Sequence, residues 1–194
     1  MSLIDELAEE YRSLAYAHRQ PLWIPPMLAT LSQEPFSGKE WIFERKLDGV
    51  RLMAYRNGAG VTLLSRNKKR KNVTYPEIEE VLGQQPSEDF ILDGEVVAFK
   101  NGRTGLSTLH PRFGIRDPEE ALQTGVKVYY YVFDLLFLDG YDLHDLPLVE
   151  RKRLLRKKFN FKSPLYYSEH RFQDGEAFLK EACENGWEGV IAKK

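Results

Sequence analysis

Lys46 stands in the run Glu44-Arg45-Lys46-Leu47-Asp48-Gly49-Val50-Arg51, directly after the apolar Trp41-Ile42-Phe43. A lysine amine that has lost its proton can attack the α-phosphorus of a nucleotide. Burial among apolar neighbours, with Arg45 and Arg51 close by in sequence, is expected to favour the neutral amine. The motif alone is equally that of a strand-edge lysine ahead of an Asp-Gly turn.

Two carboxylates recur downstream in Leu92-Asp93-Gly94-Glu95. Asp93 and Glu95 are two apart on an expected strand and so face the same way. A paired-carboxylate hydrolase would also use two such groups, although two on one strand stand too close to take a sugar ring between them. Arg66, Lys68, Lys69, Arg70 and Lys71 put five cations into six positions of a chain whose net charge is only −1. Such a patch suits a phosphate backbone bound over a short footprint, and a solvated loop would have the same composition. Cys183 is the single cysteine, so no internal disulfide forms, and His18, His110, His144 and His170 are too dispersed for a structural zinc site.

These groups need a scaffold. Ser2 with Asp5 resembles a capping box, and Ile4, Leu7, Ala8, Tyr11, Leu14 and Ala15 recur at helical spacing, which predicts a helix over 2–18. Pro21, Pro25 and Pro26 then force an extended crossing. Strands are predicted over 41–47, 50–56 and 61–66, with Asp48-Gly49 and Asn57-Gly58 as tight turns, giving an antiparallel meander that carries Lys46. A helix over 75–82, a strand over 90–100 and a turn at Asn101-Gly102 follow. The run Tyr129 to Phe137 is apolar enough to be a central strand buried on both faces. Helices over 148–159 and 174–185 and a last strand over 189–193 complete the chain. Strands and helices do not alternate, so the expected class is α+β, with mainly antiparallel sheets and flanking helices.

At 194 residues, 42% hydrophobic and 29% charged, with no linker-like tract, the chain is expected to form one globular domain over 25–194, preceded by an N-terminal helix and crossing over 1–24. No apolar run reaches membrane-spanning length and no signal-like N-terminus is present, so a cytoplasmic location without membrane association is expected. No Gly-x-x-x-x-Gly-Lys-Ser/Thr loop occurs, so ATP would have to be held without a P-loop.

Five motifs fall in one order: Lys46 with Asp48-Gly49 and Arg51; Ser65-Arg66-Asn67; Leu92-Asp93-Gly94-Glu95; Phe133-Asp134; and Glu188-Gly189-Val190-Ile191-Ala192-Lys193. In this order and spacing the chain, from about Pro25 to its end, resembles the adenylation domain of ATP-dependent DNA ligases. Pro26-Met27-Leu28-Ala29-Thr30-Leu31 and Leu92 to Phe99 look most like the ligase module of prokaryotic end-joining enzymes. The resemblance implies an ATP-grasp-like covalent nucleotidyltransferase fold. It also implies that Lys46 forms lysyl-AMP, that AMP passes to the 5′-phosphate of a nick in double-stranded DNA, and that the 3′-hydroxyl then seals it.

Residue by residue, the resemblance gives Glu44 the adenine amino group, Arg51 the sugar-phosphate region, Glu95 the ribose hydroxyls, Phe133 the purine face and Lys193 the phosphates. Glu188, with Glu95, would hold Mg²⁺ or Mn²⁺, which phosphoryl transfer needs to offset charge. Arg66 would meet the nucleotide sugar or the nick 5′-phosphate, and Lys68, Lys69, Arg70 and Lys71 would follow the DNA backbone. The family's Trp-x-Lys-x-Lys motif and its OB-fold domain do not occur in this sequence. The expectation is therefore a monomeric fragment that binds nucleotide weakly, self-adenylylates slowly or not at all, and does not seal nicks alone. An RNA ligase or capping-type nucleotidyltransferase shares Lys-x-Asp-Gly, and a non-catalytic DNA-end-binding module would share the fold.

Overall fold

Leu52 and Ala54 in one strand and Leu92 and Val96 in its neighbour have no solvent exposure, whereas Arg51, Asp93 and Glu95 alternate with them. Because successive side chains of a strand point to opposite faces, one face of this sheet makes the core and the other carries the ionisable groups. That division organises the computed structural model, which describes residues 3–194.

Among the described residues the strands in chain order are β1 (Tyr16–Ala17), β2 (Gly38–Arg45), β3 (Val50–Asn57), β4 (Val61–Ser65), β5 (Asp89–Val97) and β6 (Phe99–Lys100). They continue as β7 (Arg103–Thr104), β8 (Tyr129–Leu138), β9 (Tyr141–Asp142), β10 (Leu165–Tyr167), β11 (His170–Gln173) and β12 (Val190–Lys193). The α-helices are α1 (Pro76–Gly83), α2 (Leu106–Leu109), α3 (Pro118–Gln123), α4 (Leu148–Lys158) and α5 (Gly175–Glu184). The larger sheet runs β1-β9-β8-β5-β3-β4, with β10 added in parallel to β8. A second sheet, β11-β2-β12, is wholly antiparallel, and β6 and β7 form a separate hairpin. This is the α+β class expected.

The main core lies on the even-numbered face of β3 and β5, where Tyr75, Ile78 and Leu82 around α1 and Leu154 and Leu155 of α4 cover the sheet. A smaller cluster on the opposite face joins Met53, Tyr55, Ile91, Leu136 and Phe137, capped by Trp23 and Ile24 from the proline-rich crossing. Gln20 anchors that crossing by donating to the Arg56 carbonyl at 2.7 Å and to Asp89 at 2.8 Å. No helix among the described residues is long and apolar enough to cross a membrane.

Three local expectations are corrected. The segment expected as one helix over 2–18 is instead two 3₁₀ turns, Leu3–Glu6 and Glu9–Leu14, followed by β1; Ser2 lies outside the described residues. Leu3 and Leu7 reach the main core, and Glu6 pairs with Lys157 and Lys158 of α4. Docking onto the body therefore overrides the helical periodicity, as short helices have little stability of their own.

The three-strand meander is also split, because β2 belongs to the second sheet and only β3 and β4 pair. Asp48-Gly49 is thus the crossing between sheets rather than a hairpin turn. A Cβ at Gly49 would lie 2.1 Å from the Val96 carbonyl oxygen, so the glycine permits close backbone approach. Finally, β8 is buried on both faces only towards its end: Tyr129, Tyr131, Phe133 and Asp134 are half-exposed, whereas Leu135 to Leu138 are buried. Asn57-Gly58 and Asn101-Gly102 are turns as read, the latter with both residues at positive φ.

Candidate active site

The crossing from β2 to β3 brings Lys46 to the mouth of a cleft between the two sheets. Its backbone N–H donates to the Gly189 carbonyl at 2.9 Å, and Val190 pairs with Arg45 across β12 and β2. This antiparallel register places Glu188 beside Lys46 although 142 residues separate them, and the Lys46 ammonium donates to the Glu188 carboxylate. The side chains of Lys46 and Glu188 are 40% and 39% exposed. The expected apolar burial of Lys46 is therefore not found, since the strand ends at Arg45 and the lysine projects from the connection beyond it. The cleft wall around it is acidic.

Across the cleft, Arg51 and Glu95 are register partners on β3 and β5. Arg51 is committed to Asp93 through a two-pronged ion pair, Nε to Oδ1 at 2.5 Å and Nη2 to Oδ2 at 2.6 Å. Burial pushes the Asp93 carboxyl up even against this guanidinium. With Asp93 so occupied, the paired-carboxylate hydrolase reading loses one of its two groups. The Glu95 carboxyl group makes no hydrogen bond among the described residues; burial pushes it up to about 8, against the pull of Arg51 and Lys46.

A pH prediction arises here. Between the ordinary glutamate value of 4.5 and about 8, folded Glu95 keeps a proton that the unfolded chain has released. Stability of the nucleotide-free chain should then fall as pH rises through that window and level off above it. Urea denaturation across this range should show a shallower decline for Glu95→Gln. Parallel declines in the two proteins would refute the assignment.

The register between β5 and β8 shifts twice, skipping Leu136 and Phe133 of β8. Alternation along β8 sets Phe133 on the face opposite buried Tyr130 and Val132. There Arg51 lies 4.5 Å and the Lys193 ammonium 4.0 Å from its ring centroid. The bulge brings the next residue, Asp134, level with Asp93 as its register partner. Asp134 is a framework group: Arg151 of α4 grips it at 2.7 and 2.8 Å, and Asp134 also accepts from the Leu135 N–H.

Glu44 lies deeper, 2% exposed. Its Oε1 accepts from Lys152 at 2.7 Å, and its Oε2 accepts from Lys193 at 2.9 Å and from the Ser168 hydroxyl at 3.0 Å. Burial alone would raise this carboxyl, but Lys193 and Lys152 outweigh it and hold it below the ordinary value. Lys152 and Ser168 escaped the sequence reading. A lysine between Leu148 and Leu155 on the apolar stripe of α4 was the available signal, because a cation placed there must find a buried partner.

The basic run forms a tight turn after β4, in which the Lys68 and Lys69 N–H groups bond back to Ser65 and Lys68 adopts positive φ. Arg66, Lys68, Lys69 and Arg70 are exposed and Lys71 is half-exposed. Among the described residues no carboxylate pairs with any of the five. Lys68 lies 5.2 Å from the Trp23 ring centroid, and Arg70 donates to Asn72. Leu52 faces Ser65, so the chain leaves β4 for this turn at the level of Arg51, at the sheet end nearest Lys46. Arg66 makes no hydrogen bond or ion pair with the cleft residues. The structure thus gathers Glu44, Lys46, Arg51, Glu95, Phe133, Glu188 and Lys193 around one cleft and sets the basic turn at its rim.

Residues 26–194 match the family model described as the ATP-dependent DNA ligase domain. The chain is 36% identical over 177 residues to the multifunctional non-homologous end joining protein LigD of Pseudomonas aeruginosa, covering 90% of this chain and 20% of that protein. It is 34% identical over 179 residues to a probable DNA ligase of a Nocardioides species, covering 87% and 32% respectively. Among solved structures it is similar to a mycobacterial DNA ligase D complexed with ATP and MES, with 30% identity, a TM-score of 0.69, and coverage of 87% of this chain and 53% of that one. It is similar also to the ligase domain of Mycobacterium tuberculosis LigD, with 28% identity, a TM-score of 0.64, and coverage of 81% and 48%. The chain spans about a fifth to a third of the length of these curated relatives. With residues 26–194 matched by that one family model and 90% of its length aligned with the LigD relative at 36% identity, the chain belongs to the ATP-dependent DNA ligases, as their adenylation domain.

Proposed function

We propose that this chain uses ATP as substrate to load AMP onto Lys46 and passes it to a 5′-phosphate in DNA. The observation that carries the reading is the convergence of the Lys46 amine, the Glu95 and Glu188 carboxylates and the Glu44–Phe133 recess on one cleft. The Lys46 nitrogen forms a bond to the α-phosphorus while the bond from that phosphorus to the bridging oxygen breaks, and pyrophosphate leaves with the electron pair. Glu188, already hydrogen-bonded to the amine, is the nearest acceptor for its proton. The 5′-phosphate of a nick in double-stranded DNA then takes AMP from Lys46, and the adjacent 3′-hydroxyl displaces AMP to close the strand.

In this reading Phe133 stacks on the purine, Glu44 accepts from its amino group, Arg51 faces the sugar-phosphate and Glu95 accepts from the ribose. Lys193 leaves Glu44 for the phosphates. Glu95 and Glu188 are hard oxygen donors suited to Mg²⁺ or Mn²⁺. A raised carboxyl without a hydrogen-bond partner at Glu95 fits a group whose counter-cation arrives with the substrate. Among the described residues no three His, Cys, Asp or Glu side chains are placed to share an ion, so substrate oxygens and water would complete the shell. Such an ion offsets charge on the triphosphate when bound.

Incubation of the chain with labelled ATP and Mg²⁺ or Mn²⁺, followed by denaturing electrophoresis and peptide mass analysis, should show at most slow label transfer, all of it on Lys46. Covalent label on any other residue would overturn the reading. The exposed turn supplies the DNA arm of the proposal, with Arg66 nearest the reacting phosphate and Lys68, Lys69, Arg70 and Lys71 along the backbone. Replacing those last four by serine should weaken binding to a nicked duplex and flatten the dependence of log K on log salt by about 0.9 for each phosphate contact removed. An unchanged slope in fluorescence anisotropy would mean that the turn does not touch DNA.

A further inference from the structure

Lys152 has no solvent exposure, a costly place for an ammonium group. It donates to Glu44 at 2.7 Å, to the Ser168 carbonyl at 2.9 Å and to the Phe133 carbonyl at 3.4 Å, which accounts for all three of its protons. Those partners lie on separate parts of the fold. Glu44 is on β2 of the small sheet, Phe133 is the bulge residue of β8 in the large sheet, and Ser168 lies between β10 and β11. One nitrogen therefore ties the group that would read the base edge to the backbone of the residue that would stack on the base face.

We infer that Lys152, assisted by Ser168, is a positioning residue that sets adenine selectivity by fixing Glu44 relative to Phe133. The inference rests on the adenylation reading above and deepens it. Lys152 holds Glu44 Oε1 from the protein side, so only Oε2 is left for exchange, and there Lys193 is the partner that must leave for the phosphates. Once Lys193 departs, the adenine amino group takes its place as donor, while Ser168 and Lys152 keep the carboxylate ionised and aimed. Guanine presents a carbonyl oxygen at that position, which a fixed carboxylate repels. Selectivity for adenine then depends on the rigidity of the carboxylate as much as on its charge. A merely structural lysine would affect stability without affecting which base is preferred.

The test compares ATP and GTP affinities of the 194-residue chain by calorimetry, for the unaltered protein, Lys152→Met and Ser168→Ala. In Lys152→Met the preference for ATP over GTP should fall about tenfold, mainly through weaker ATP binding. Ser168→Ala leaves both lysines and the fold in place and should lower the ratio about threefold, through loss of one of the hydrogen bonds that aim the carboxylate, which keeps the inference testable where Lys152→Met does not fold. Where the yield of lysyl-AMP allows kinetics, the KM for ATP should rise with little change in the rate at saturating ATP. Unchanged preference in a folded Lys152→Met, or in Ser168→Ala, overturns the positioning role alone. Failure of the unaltered chain to bind ATP, or covalent label on a residue other than Lys46, overturns the adenylation reading and this inference with it.

Discussion

Lys46→Ala and Lys46→Arg both lose covalent adenylyl transfer, by at least ~10³-fold, a size typical of removing the nucleophile itself. The alanine variant has no amine. The arginine variant keeps a cation beside Glu188 but cannot shed its proton, so it separates charge from nucleophilicity. Nucleotide binding should survive in both variants to within about tenfold, since the recess around Glu44 and Phe133 does not involve the Lys46 side chain. Labelled ATP, denaturing electrophoresis and peptide mapping check the result. Label that persists in Lys46→Ala on another residue would remove Lys46 from the centre of the chemistry.

Arg51→Leu should cost about 3–5 kcal/mol of folding stability, the range for breaking one side of a buried ion pair. The partner left behind decides the size. Asp93 is 4% exposed and both of its oxygens accept from Arg51, so the substitution leaves a buried carboxylate without its paired counter-charge. Burial already pushes the Asp93 carboxyl up; without Arg51 only the weaker pull of Lys193 opposes that push. The folded variant then retains a proton over a wider pH range than the unfolded chain, so the deficit relative to the unaltered protein grows as pH rises above the ordinary aspartate value. Urea denaturation at pH 5 and pH 8 should show the larger difference at pH 8. Arg51→Leu with Asp93→Asn should recover much of the loss, because a neutral amide replaces the stranded charge. A loss that does not depend on pH would place the role of Arg51 in packing over Phe133, from which it lies 4.5 Å.

Much of the frame was legible because local rules acted alone. Asn57-Gly58 and Asn101-Gly102 turn where positive φ is needed. Pro76 opens α1, and Gly186, at positive φ, follows the end of α5. The apolar run from Tyr129 does form an inner strand of the large sheet. Where a local signal competed with a longer-range contact, the contact prevailed. The helical spacing over 2–18 yields to docking of Leu3 and Leu7 on the core. The Asp-Gly pairs at 48–49 and 93–94 likewise serve close packing: a Cβ at Gly94 would lie 2.5 Å from the Tyr130 ring and from the Tyr131 carbonyl oxygen. From sequence, a glycine required by φ and one required by space look the same.

Residue types and their order by themselves determined the family and singled out the candidate lysine with the acidic, aromatic and basic groups that go with it, because each motif is a contiguous stretch whose chemistry travels with it. Only the tertiary structure decided how those groups share their charges. It assigned β2 to a separate sheet, so that Lys46 meets Glu188 at the end of the β2–β12 pair, and it closed Arg51 onto Asp93. Through a bulge in β8 it set Asp134 level with Asp93. It also placed Lys152 under Glu44, a pairing 108 residues apart. The physical reason is that an ionisable group in a low-dielectric cleft takes its state from whatever charge lies within a few ångströms, and that neighbour is set by strand register between distant segments.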